Sequence, residues 1–163
     1  MIVKNKLHED VLAWEIEIED LGIDVENLDY KLQDGKLFRD VKTRFENNDQ
    51  YLKDKILNSL DIDYIKEKIP NYNKIDIKIF KDLPGFKLTP HEDFPWHKAF
   101  IMLNLHDNVN STTFHDYEKN FLCEGPNKKN TGIFHLLHTR PIIKHAIENN
   151  SKKNRYTTIA FIK

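Results

Sequence analysis

Two residues with metal-ligand chemistry stand two apart at the end of the segment 85–93: His91 and Asp93. In extended backbone, side chains at i and i+2 project to the same face, so an imidazole and a carboxylate converge there. A third donor would close a facial site, and His135, His138 and His145 compete for that place. Two imidazoles and one carboxylate on one face of an octahedron leave three positions open, the donor set of non-haem Fe(II) centres. A site drawn from His135, His138 and His145 alone would instead suit zinc. His145 is favoured as the partner of His91 and Asp93 because it lies ten residues before Arg155. Arg155 and Thr157 are again two apart, on one face of a strand. A planar guanidinium grips a carboxylate through two parallel N–H···O bonds, and the Thr157 hydroxyl offers one more.

Positioning these groups falls to a chain of short strands with helices in its first half. Trp14, Ile16 and Ile18 alternate with Glu15, Glu17 and Glu19, the pattern of a half-buried strand. Leu37, Phe38, Val41 and Phe45 are spaced for a short helix over 36–48. A longer helical region spans 49–68, with a break near Asp61 and an end at Pro70. Strands are predicted at 75–80, 100–105, 131–137 and 156–162, separated by turn signals at 83–86, 107–111, 124–127 and 148–152. The order predicts an α+β fold, mainly β, with helices packed against a sandwich or barrel.

The chain resembles the iron(II)/2-oxoglutarate-dependent dioxygenases, and within them the prolyl-4-hydroxylase-like branch. The likeness covers about residues 75–163. It rests on His91–Asp93 as the HxD motif, His145 as the distal histidine and Arg155–Thr157 in place of the R-x-S motif, with the strings 77–81, 101–105 and 145–148 around them. It implies a double-stranded β-helix, or jelly-roll, with N-terminal supporting helices. The whole of 1–163 would form a single domain, 1–72 as strand and helical support and 73–163 as the core. It implies Fe(II) held by His91, Asp93 and His145. The far carboxylate of 2-oxoglutarate would lie on Arg155 and Thr157, with O2 as oxidant and ascorbate as accessory reductant. Decarboxylation of 2-oxoglutarate to succinate would be coupled to hydroxylation of a peptide, protein or small-molecule substrate. Retention of the Asp93 carboxylate favours hydroxylation over halogenation. Asn110–Phe114 departs from the Gly-rich turn usual in the middle of the fold.

Other classes fit part of the pattern. A cupin-like metal-binding protein would keep the three ligands without needing Arg155. A zinc hydrolase would use the later histidines. A degenerate jelly-roll would serve binding or assembly. Phe94 and Trp96, beside the HxD segment, could line a substrate wall or belong to a satellite core.

Composition narrows the field. Lys plus Arg is 25 against 26 for Asp plus Glu, a net charge of −1 that argues against holding nucleic acid by bulk charge. Cys123 is the single cysteine, which excludes an intrachain disulfide framework and any CxxC site. The first ten residues hold no apolar signal-peptide core, and no apolar run is long enough to span a bilayer, so a cytoplasmic protein is expected.

Overall fold

A computed structural model describes residues 1–32 and 43–163. Twelve strands and two helices are found among them. Ile2–His8 (β1), Val11–Glu17 (β2), Lys31–Leu32 (β3) and Arg44–Asn47 (β4) precede helices Gln50–Ser59 (α1) and Ile62–Lys68 (α2). Then come Ile75–Asp82 (β5), Lys87–His91 (β6), Ala99–Asn104 (β7), Thr112–His115 (β8), Phe121–Glu124 (β9), Thr131–Leu136 (β10), Lys144–Glu148 (β11) and Arg155–Ile162 (β12). Asp49 and Asp61 start the helices, each accepting a hydrogen bond from the backbone N–H three residues on.

The strands form two antiparallel sheets. Eight lie in the order β1-β2-β10-β7-β12-β5-β4-β3 and four in the order β6-β11-β8-β9. Alternation splits the core in two. Ile77, Ile79, Ile101, Leu103, Phe134, Tyr156 and Ala160 face Ile56 and Ile65 of the helices and Leu60 at the break between them. Phe80, Phe100, Met102, Ile133 and Ile159 of the large sheet face Phe114 and Ile147 of the small one. This two-sheet sandwich with helices on its outer face is the double-stranded β-helix. β7 is buried on both faces along its whole length, which is why it reads as a continuous apolar run. Gly132 lets β10 lie against it: a Cβ there would come 2.0 Å from the Met102 carbonyl oxygen.

The helix expected over 36–48 is not formed where it is described. Residues 44–47 are β4, paired with β5 in register Arg44↔Asp82 to Asn47↔Ile79. The side chain of Arg44 is anchored on Asp82, and this tertiary pairing overrides the local spacing. Leu37, Phe38 and Val41 lie outside the described residues. β2 keeps the expected alternation, with Trp14, Ile16 and Ile18 on the helix side, but its other face is buried as well at its start, where Val11 and Ala13 enter the inter-sheet core. The region 49–68 forms two helices broken at Leu60–Asp61, as the spacing predicts.

Candidate metal centre

The small sheet assembles the site. β6 and β11 run antiparallel with His91 directly opposite His145, and their rings lie 4.5 Å apart. β6 ends at His91, so the chain turns inward and brings Asp93 between them. Asp93 Oδ1 is 3.9 Å from His91 Nε2, and Oδ2 is 3.8 Å from His145 Nε2. One ligand atom from each of the three residues lies within 4.8 Å of the others. Exposure falls from 28% at the His91 side chain to 14% at Asp93 and 5% at His145, so the cluster opens to solvent on its His91 side.

The donor chemistry fits a divalent cation. His91 Nδ1 lies 2.7 Å from the Thr89 carbonyl oxygen and donates to it, which orients the ring with Nε2 toward Asp93. Burial holds His145 well below its ordinary pKa, and His91 and His135 push the same way, so it is neutral at pH 7. Burial raises the Asp93 pKa against the pull of His91 and His138. Asp93 Oδ2 and His145 Nδ1 are buried with no hydrogen-bond partner. An orphaned carboxylate oxygen in a dry pocket is costly, and a cation beside it would offset that cost.

The competing histidines are placed elsewhere. His138 sits in the loop after β10 with a positive φ of 55°, its Nε2 3.1 Å from the Phe94 carbonyl oxygen. His135, on β10, is buried between the sheets with its ring against Phe100, Phe114 and His145. Its Nδ1 meets the Leu12 carbonyl oxygen at 3.3 Å, and its Nε2 has no hydrogen-bond partner. Burial pulls its pKa down to about 4. Neither belongs to the three-residue cluster. His135, one of the competing ligands in the sequence, is placed in the same chamber by its position on β10 beside β7, but outside the three-residue cluster.

Arg155 and Thr157 lie on the inner face of β12, both essentially fully buried. Arg155 Nη1 donates to Asp82 Oδ2 at 3.1 Å and lies 3.5 Å from Thr157 Oγ1. Nε reaches the Asn110 carbonyl oxygen at 3.4 Å, and Nη2 faces the Met102 sulfur at 3.3 Å. Burial lowers the Arg155 pKa and Asp82 opposes that shift. The guanidinium is less exposed than His91 or His145. Phe100 packs on His145 at 4.9 Å, and Met102 is the next residue of β7 on the same face. Arg44 and Asp82, which sequence reasoning passed over, complete this end: Arg44 Nε and Nη2 donate to the two Asp82 oxygens at 2.6 and 2.9 Å.

At the open end, Phe94 stacks on Trp96 at 4.5 Å and 6°, and Trp96 is 57% exposed. His97 packs edge-on against both rings and flat on Phe161. No helix among the described residues is long and apolar enough to cross a membrane.

A scan against protein-family models finds no match to the sequence, and a search of the curated proteins finds none either. Solved structures do match. An oxidoreductase of the 2OG-Fe(II) oxygenase family from Burkholderia pseudomallei superposes with a TM-score of 0.61 at 11% identity, over 85% of this chain and 73% of that one. The viral collagen prolyl hydroxylase of Paramecium Bursaria Chlorella virus-1, in its 2OG complex, gives 0.55 at 14% identity over 93% and 95%. A prolyl hydroxylase from Trichoplax adhaerens, in complex with a hypoxia inducible factor peptide fragment, gives 0.51 at 13% identity over 69% and 55%.

Proposed function

We propose that this chain, which has the fold of the 2OG-Fe(II) oxygenases and prolyl hydroxylases, is an Fe(II)- and 2-oxoglutarate-dependent dioxygenase that hydroxylates a C–H bond of a peptide or small molecule. The observation that carries this reading is the convergence of His91, Asp93 and His145, with both Nε2 atoms turned to one carboxylate. These three residues would hold Fe(II), which when bound supplies the O2 activation that couples 2-oxoglutarate decarboxylation to hydroxylation.

The chain's own contribution is positioning and exclusion of water. His145, held neutral at pH 7 by burial, offers its Nε2 lone pair without first losing a proton. Asp93 supplies the negative charge that a bare imidazole pair lacks. Arg155 Nη2 faces only a thioether, a weak acceptor that a carboxylate would displace, with the Thr157 hydroxyl beside it. Phe100 and Phe114 wall the chamber and keep it dry. The Phe94–Trp96 stack next to Asp93 offers an aromatic wall to a substrate.

A second reading, a metal-binding jelly-roll without oxygenase activity, is favoured by one observation: Arg155 already has a carboxylate partner in Asp82. The experiment that separates them supplies Fe(II), 2-oxoglutarate, O2 and ascorbate and follows succinate. Slow release of succinate without added substrate supports the dioxygenase. No release, with metal bound, supports the second reading.

A further inference from the structure

Arg44, Asp82 and Arg155 form one row across three neighbouring strands, in register Arg44↔Asp82 on β4 and β5 and Arg155↔Asp82 on β12 and β5. All three are buried, Asp82 completely. Two guanidiniums share one carboxylate, so the row carries one positive charge that nothing within it balances. An unbalanced charge in a dry interior is unfavourable unless an anion completes it.

Arg44 decides where that excess charge points. It takes both Asp82 oxygens in a bidentate grip, while Arg155 has a single contact with Oδ2. Arg44 is also fixed from both sides, its guanidinium carbon 4.2 Å from the Phe80 ring centroid and 4.1 Å from that of Phe86. These contacts and the bidentate grip hold its guanidinium on Asp82. Arg155 is left as the arginine with donors to spare, and its Nη2 edge faces Met102, one step along β7 from the Phe100 that touches His145.

We propose that Arg44 is a positioning residue for the co-substrate: by occupying Asp82 it keeps Arg155 from collapsing into a neutral one-to-one pair and reserves it for the far carboxylate of a 2-oxo diacid. This rests on the dioxygenase reading above. Without Arg44, Asp82 would recruit Arg155 through both oxygens, and the excess positive charge would vanish. Asp82 would still have one partner, so folding should survive the loss.

The test is calorimetric titration of the Mn(II)-loaded full chain, under argon, with 2-oxoglutarate and with pyruvate. Pyruvate has the same 2-oxo acid head and no far carboxylate. Arg44→Met should weaken 2-oxoglutarate roughly tenfold or more and leave pyruvate and Mn(II) affinity unchanged. Arg44→Met combined with Asp82→Asn should recover most of the lost affinity, because the competitor for Arg155 has gone; a merely structural role would make the double variant worse. If Arg44→Met does not fold, Arg44→Lys, which keeps the charge and loses the bidentate grip, carries the same expectation at smaller amplitude. Unchanged 2-oxoglutarate affinity in the variants, equal loss for both ligands, or no recovery in the double variant overturns the role of Arg44 alone. A wild-type chain that binds 2-oxoglutarate no better than pyruvate overturns the dioxygenase reading as well.

Discussion

His91 and His145 face each other across adjacent antiparallel strands, ring against ring at 4.5 Å, far apart in the sequence and joined by backbone register alone. Two of the three ligands are thus held by the sheet ladder itself. Asp93 enters from just beyond the end of one of these strands and turns one oxygen to each ring.

Removing any one of the three should therefore disable the site while its neighbours stay folded. His91→Ala and His145→Ala should each weaken divalent-metal binding by about a hundredfold or more, beyond the loss seen for outer-shell partners. His138→Ala, whose ring only meets the Phe94 carbonyl, should leave it unchanged. Titration with Mn(II) or Co(II) reads the difference, and a loss in His138→Ala equal to the others would reassign the third ligand.

Arg155→Leu should bind metal normally and lose 2-oxoglutarate. Its cost in stability should be modest for so buried a residue, because Asp82 keeps its bidentate pair with Arg44. Chemical denaturation together with ligand titration separates these outcomes. A variant that unfolds would mean that Arg155, and not Arg44, holds Asp82 in place.

Acid should destabilise the metal-free protein partly through His135. Its folded pKa is about 4, lowered by burial from 6.5. Between those values the unfolded chain binds a proton that the folded chain refuses, so stability falls as pH falls through that window. The full effect is about 3 kcal/mol. Buried Asp93 has the opposite shift, a raised pKa, and opposes part of the slope above its ordinary range. Comparing wild type with His135→Leu by urea unfolding isolates the histidine: the wild-type advantage should shrink from pH 7 toward pH 4. Parallel curves would show that His135 is protonated inside the fold.

Gly132→Ala should be severe. The new methyl group would press on the Met102 carbonyl and force β10 away from β7, at a cost of about 3 kcal/mol. Because those strands carry His135 and Phe100, metal and co-substrate binding should weaken with it. Thermal unfolding checks the first part, and a melting temperature equal to wild type would contradict it.

Much of this arrangement is legible in the sequence. β7 announces itself as an unbroken apolar run because both its faces are covered, and β5 and β12 carry enough β-branched residues to read as strands. His91, Asp93, Arg155 and Thr157 are legible as i, i+2 pairs because extended backbone sends such side chains one way. β6 and β11, which position the histidines, are not legible: Lys87–His91 and Lys144–Glu148 are five residues each and mostly polar, with Leu88 and Ile147 their only large apolar residues. The Arg44–Asp82 pair is hidden for a different reason. Arg44 lies in a stretch whose apolar spacing favours a helix, and only pairing with β5 makes it a strand. A long-range ion pair between two strands leaves no periodic mark on either.

The central claim is that His91, Asp93 and His145 share one cation. The measurement that tests it most directly is an anomalous-difference map from crystals grown with Mn(II) and 2-oxoglutarate. A single peak bonded to His91 Nε2, the Asp93 carboxylate and His145 Nε2 is the expected result. A peak on His135 or His138, or no peak between the three side chains at saturating Mn(II), would contradict it.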